Sequence, residues 1–173
     1  MKSNTEKILQ VMHILAWVVF IGLLVVAGSI ILSYFVSIGN AQVAKNLYRG
    51  MDLYAYRQHS FGHYTFVTGY KVILFITQAY IAFQMTNLLS RLNISRPFNA
   101  DVAELMQKIS YSILSVWLVT MVYNIHVAIL EKSAGLVATY IPGDSIFLAG
   151  IVYVLAQLFK RGVEIQSENE LTV

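Results

Sequence analysis

The chain has no cysteine, only 2 prolines, and only 12% charged residues among its 173. The absence of cysteine excludes a disulfide scaffold, thiolate zinc and iron–sulfur sites, and a thiol nucleophile. The scarcity of proline, with 10 glycines, excludes collagen-like and Pro/Gly-rich low-complexity chains. Soluble domains are about 25% charged, so this chain has too little polar surface to coat a water-soluble globule. Disorder is excluded as well, because disordered chains are rich in charge and poor in apolar residues. What fills the sequence is apolar: 57% is hydrophobic and the mean hydropathy is +0.63. That composition points to an integral membrane protein made of one transmembrane domain.

The formal net charge is only +3. Lys45, Arg49, Arg57, Lys71, Arg91, Arg96, Lys108 and Lys132 stand singly along the chain. No cluster is present to neutralise several phosphates, so no direct nucleic-acid contact is expected. Most cations instead flank apolar runs, where membrane proteins keep them.

Four such runs are visible. Ile8 to Ile38 has no formal charge and makes about 46 Å of helix, more than the ~30 Å hydrocarbon core. Its length, far beyond a signal-peptide core, predicts a retained span. Gly39-Asn40 is its expected stop. Val72 to Ser90 and Ile109 to Leu130 each meet the ~20-residue requirement for a span. Ser145 to Phe159 is shorter, and spans with help from Tyr140, Ile141 and the snorkelling stems of Lys160 and Arg161. Asn99 is the expected N-cap of a helix starting at Ala100, and Pro142-Gly143-Asp144 reads as a turn.

The expected fold is therefore an all-α membrane protein. Four transmembrane helices, over about 8–38, 72–90, 109–130 and 141–160, form an antiparallel bundle. An aromatic outer loop joins the first two, and an acidic cytoplasmic tail occupies 161–173. With the N-terminus inside, Lys2, Lys7, Arg91, Arg96, Lys108, Lys160 and Arg161 are cytoplasmic, against Lys45, Arg49, Arg57, Lys71 and Lys132 outside. This bias places both termini in the cytoplasm.

Residues 39–71 hold Tyr48, Tyr54, Tyr56, Phe61, Tyr64, Phe66 and Tyr70. Such aromatics gather at a membrane–water boundary, either as a loop folded on the bilayer or as a binding cap. The composition of 64–68 is strand-like, which suggests a small hairpin. His59 and His63 stand four apart, and His126 falls toward the same outer side, so a metal or proton site is one reading of this face. Separate imidazoles, each satisfied by tyrosine, backbone or water, are the favoured reading, with no metal and no cofactor expected.

The apolar runs contain no Asp, Glu, Lys or Arg. Pumps, ion-coupled carriers and voltage sensors usually carry such groups at membrane depth. The neutral polar residues Gln78, Gln84, Asn87, Asn124 and Gln157 read as interhelical hydrogen-bonding groups. Ser29, Ser33 and Ser37 recur every four residues, a small-residue stripe for helix packing within the molecule or in a homo-oligomer.

The order of elements carries a resemblance. Arg96-Pro97-Phe98-Asn99-Ala100-Asp101 precedes the third span, and Phe159-Lys160-Arg161-Gly162-Val163-Glu164-Ile165-Gln166-Ser167-Glu168-Asn169-Glu170-Leu171-Thr172-Val173 ends the chain. Over nearly its whole length the sequence resembles the bacterial family called domain of unknown function 2975, small four-span membrane proteins. The resemblance implies a bacterial inner-membrane protein without established activity. Family members are often encoded beside a very small helix-turn-helix regulator, which makes such a regulator a candidate partner. No catalytic or binding residue carries over.

These observations lead to three functional expectations. The first is a non-enzymatic regulatory or sensor protein, with Glu164, Glu168, Glu170 and Leu171 of the tail docking a cytoplasmic partner. The second is an oligomeric small-molecule carrier or channel subunit. The third is a membrane enzyme acting on a lipid or quinone, with His126 or the outer histidines as its reactive groups.

Overall fold

The structure, a computed structural model, describes residues 4–93 and 98–170. It is helical throughout, with α1 Asn4–Gly39, a 3-10 turn Ala41–Asn46, α2 Tyr54–His59, α3 Phe61–Arg91, α4 Ala100–Ala134 and α5 Ser145–Glu170. Four helices, α1, α3, α4 and α5, are long and apolar enough to cross a membrane. The expected all-α membrane class and its four spans are present.

Several boundaries follow from single residues. α1 stops at Gly39, and the Asn40 side chain accepts from the Gln42 N–H to start the 3-10 turn. Asn99 caps α4 by accepting from the Asp101 N–H at 2.8 Å. Gly135 ends α4 with φ 65°, a left-handed conformation that glycine adopts without a Cβ penalty, and its N–H returns to the Glu131 carbonyl. Ser60 is extended (φ −160°, ψ 128°) and separates α2 from α3. Its N–H donates to the Tyr56 carbonyl, and its carbonyl accepts from the Tyr64 N–H.

One expectation is corrected here. Residues 64–68 are not a hairpin strand; they lie in α3, which begins at Phe61, well before the apolar run at Val72. Tyr64 and Val67 are fully buried against the cap, and that burial outweighs the strand-like composition. As a result Lys71 lies within α3, one residue before the charge-free apolar run.

The long helices pack pairwise in chain order: α1 on α3, α3 on α4, and α4 on α5. Facing pairs run in opposite chain directions. Tyr34 bonds Thr65 while Trp17 meets Phe83; His63 meets His126 while Arg91 bonds Asp101. Among the described residues α5 makes no substantial packing back onto α1, so the helices form an open row. α1 and α5 keep apolar side chains such as Val18, Leu32, Phe147 and Leu158 on the outside, as lipid-facing helices do.

Buried apolar residues gather at the two ends of the row. At the cap end, Leu47, Leu53 and Tyr56 of the 40–60 connection pack on Tyr64, Val67, Tyr123 and Val127. At the tail end, Leu88, Val102, Ile109, Ile113 and Ala149 form a second cluster. Beside this second cluster, Ser110 Oγ donates to the Ala149 carbonyl between α4 and α5 at 2.9 Å, the kind of interhelical bond that supports helix association in a bilayer.

Candidate functional site

The cap end holds the densest set of functional side chains. The aromatic segment packs as a folded cap on α3 and α4. Tyr56 donates to the Val137 carbonyl at 3.0 Å, and Tyr123 donates to the Thr139 carbonyl at 2.9 Å. Asn124 makes a two-point clasp on Ile141, donating to its carbonyl at 2.8 Å and accepting from its N–H at 2.9 Å. Tyr140 donates to the Glu131 carboxylate at 2.7 Å. These bonds bind the 135–144 connection to α2 and α4. Burial raises the Tyr56 hydroxyl above its ordinary pKa, with the Glu131 charge adding to the effect. The bond to the Glu131 carboxylate raises that of Tyr140.

His59, His63 and His126 are brought together. His63 Nδ1 lies 3.2 Å from His126 Nε2, with the rings at 82°. His59 stacks on His63 at 5.9 Å between centroids, although the Ser60 break means that the two are not on one helix. Phe66 and Tyr70 flank His126. Among the described residues no three His, Cys, Asp or Glu side chains already surround one point as a metal would require.

Beside this set, Lys71 places its Nζ over the Tyr123 ring at 5.1 Å. Among the described residues it has no carboxylate partner. Lys71 reads from the sequence as a loop cation, and only the early start of α3 places it on a helix.

The serine stripe divides. Ser37 is fully buried, donates to the Tyr34 carbonyl and shares a 2.6 Å bond with the Tyr64 hydroxyl across α1 and α3. Ser29 bonds back to the Val25 carbonyl, and Ser29 and Ser33 are half-buried.

At the tail end α5 continues without a break to Glu170. Phe98, just before α4, lies against Phe159 with centroids 5.6 Å apart and covers Gly162. Beside it a cleft of about 320 Å³ between α4 and α5 has Ala100, Ala103 and Ala156 among its walls. Glu104, Gln107, Gln157, Lys160 and Glu164 supply its polar lining. Glu164 pairs with Arg161 at 2.7 Å, and Glu104 with Lys108 at 2.6 Å. Glu168 is exposed on the same helix. Glu170 is its last residue, and Leu171 lies outside the described residues, as do Arg96 and Pro97. A second cleft, about 610 Å³, opens between α1 and α3 beside His13 and Arg91. His13 accepts from the Trp17 indole N–H at 3.2 Å. Gln84 reaches Ser112 across α3 and α4 at 3.4 Å.

Comparison with known proteins matches residues 41–173 to the family described as Protein of unknown function (DUF2975). No curated protein and no solved structure matches. The match takes in the cap, α3, the Phe98 connection, α4 and all of α5, and by it the chain belongs to the DUF2975 family.

Proposed function

We propose that this multi-pass protein is a non-enzymatic regulator or sensor of the bacterial inner membrane. Both termini face the cytoplasm, the cap faces outward, and the tail end of α5 docks a soluble partner. One observation carries the reading. α5 runs unbroken out of its apolar segment into the charged stretch through Glu170, and Phe98 braces it at Gly162. A bare span needs no such braced extension. An extended helix bearing Glu164 and Glu168 beside an alanine-floored cleft offers a soluble protein a defined surface. The small helix-turn-helix regulator suggested by the resemblance is the first partner to try.

The test is co-expression of that regulator with the intact protein and with a chain truncated after Gly162. Docking by the tail requires recovery of the regulator with the intact membrane protein and its loss with the truncated one. Equal recovery rejects the reading. A reporter fused after Val173 checks the orientation, and activity outside the cytoplasm overturns it.

The open row supports one alternative. α1 and α5 each pack on a single long helix, which leaves edges for copies to meet as an oligomeric carrier or channel subunit. A single mass corresponding to one copy in nanodiscs removes it.

A further inference from the structure

The facing imidazoles of His63 and His126 point to a site for a divalent transition metal, and we propose that they form a two-histidine chelate for copper(II) or zinc(II) at the cap end. The argument is geometric. Imidazole nitrogens bind zinc at about 2.0–2.1 Å, so two of them on a tetrahedral ion are about 3.3 Å apart. His63 Nδ1 and His126 Nε2 are 3.2 Å apart. An ion can take both nitrogens with α3 and α4 at their present separation once each imidazole turns about χ2, because as a hydrogen-bonded pair the nitrogens face each other and both lone pairs must converge on the ion.

The proton balance is equally simple. In the neutral pair one facing nitrogen carries the hydrogen and the other accepts it. Moving that hydrogen to the far nitrogen of its own ring frees both lone pairs, with no net proton released. Protonation of either ring competes with the metal, so acid weakens binding.

The surroundings suit a reversible ion. His63 and His126 are half-buried, so part of each ring is left uncovered by protein, while Phe66 and Tyr70 wall one side. His59 is exposed and stacked on His63, within range as a third imidazole after a side-chain rotation. The remaining positions belong to water, an open coordination unlike the closed shell of structural zinc. The nearest cation on α3, Lys71, holds its Nζ over Tyr123, and Glu131 of α4 is engaged by Tyr140. Copper(II) binds imidazole sites more strongly than the other divalent first-row ions and is the sharper probe. A bound ion would clip α3 to α4 and, through His59, to α2. This inference is independent of partner docking by α5.

The experiment is a copper(II) titration of the full-length protein, purified without a histidine tag, near neutral pH, read by electron paramagnetic resonance. The chain has 4 histidines, and the fourth is His13 at the other end. A spectrum with two or more imidazole nitrogens on one tight equivalent therefore reports the cap. We expect that spectrum from the wild type. His63→Gln and His126→Gln should each bind about tenfold or more weakly, and His13→Gln should bind as wild type. Unchanged binding in His126→Gln overturns the α3–α4 chelate. So does a wild-type spectrum with fewer than two nitrogens, a readout that holds even if a variant fails to fold.

Discussion

Phe98 and Gly162 are in a contact that only glycine permits. A Cβ built on Gly162 would overlap the Phe98 ring, lying 2.6 Å from Cε1 and 2.8 Å from Cγ. Phe98, just before α4, is thereby seated on α5, and the two stretches that carry the family resemblance touch each other.

Gly162→Ala should therefore behave unlike an ordinary glycine-to-alanine change in a helix. The usual gain from better helix propensity, about 0.5–1 kcal/mol, is expected at Gly150, where an added Cβ meets nothing within 4 Å. At Gly162 the ring must move, and a loss of about 1–3 kcal/mol is expected. In a Phe98→Ala background the same change should regain the ordinary sign. Thermal unfolding of the four chains in one detergent checks the cycle, and additive effects would disprove the contact.

Lys71→Met should stabilise the protein. Lysine at a span centre costs about 2.5–3.5 kcal/mol. Lys71 is nearer one end and recovers part of that cost over the Tyr123 ring, so a gain of about 1 kcal/mol is expected. A clear loss of stability or of function would mean that the ammonium holds a ligand.

Alkaline stability is set at the cap. Tyr56 and Tyr140 both have pKa values raised above the ordinary 10.0. The folded state then keeps its phenol protons longer than the unfolded chain does. Their contribution is fully present below pH 10 and is lost as pH rises through the folded values. Tyr140→Phe removes the bond to Glu131, so it should lower the melting temperature at neutral pH and flatten the fall above pH 10, where the wild type loses the same contribution. An unaltered alkaline slope would count against this role.

The spans are legible because an apolar run long enough for a bilayer has few other uses. Asn99, Gly39 and a break at Pro142-Gly143-Asp144 are legible because caps and turns are local chemistry, whereas the full 135–144 connection is not. The start of α3 is not. Gly62, Gly69 and a run of tyrosines argue locally for a loop or strand, and helix wins because Tyr64 packs on Tyr34 and bonds Ser37 of α1. The histidines show the same limit. Their four-residue spacing suggests a shared face, and His59 does stack on His63 across the Ser60 break, but the hydrogen-bonded pair is His63 with His126, set by the register of α3 against α4. Gly162 reads as a weak point in a helix until Phe98 is seen above it.

Asn124→Leu tests how the cap holds the end of α5. The Asn124 amide both donates to and accepts from Ile141, replacing the strand or helix partner which that backbone lacks. Leucine keeps most of the side-chain volume and leaves the Ile141 N–H and C=O, half-buried, without their partner. Each unsatisfied group costs about 1–3 kcal/mol, and partial access to water brings the expected total to about 2–3 kcal/mol. Asn124→Asp should lose the donor arm only and place a carboxylate against the Ile141 carbonyl, so its penalty should diminish when the acid is protonated. Hydrogen exchange at the Ile141 amide separates this from general loosening. Exchange there should accelerate in Asn124→Leu while the Gly135 amide, bonded to Glu131, stays protected. Equal acceleration at both sites would mean that the whole cap had opened, and that the clasp is one bond among many instead of the fastening of 135–144.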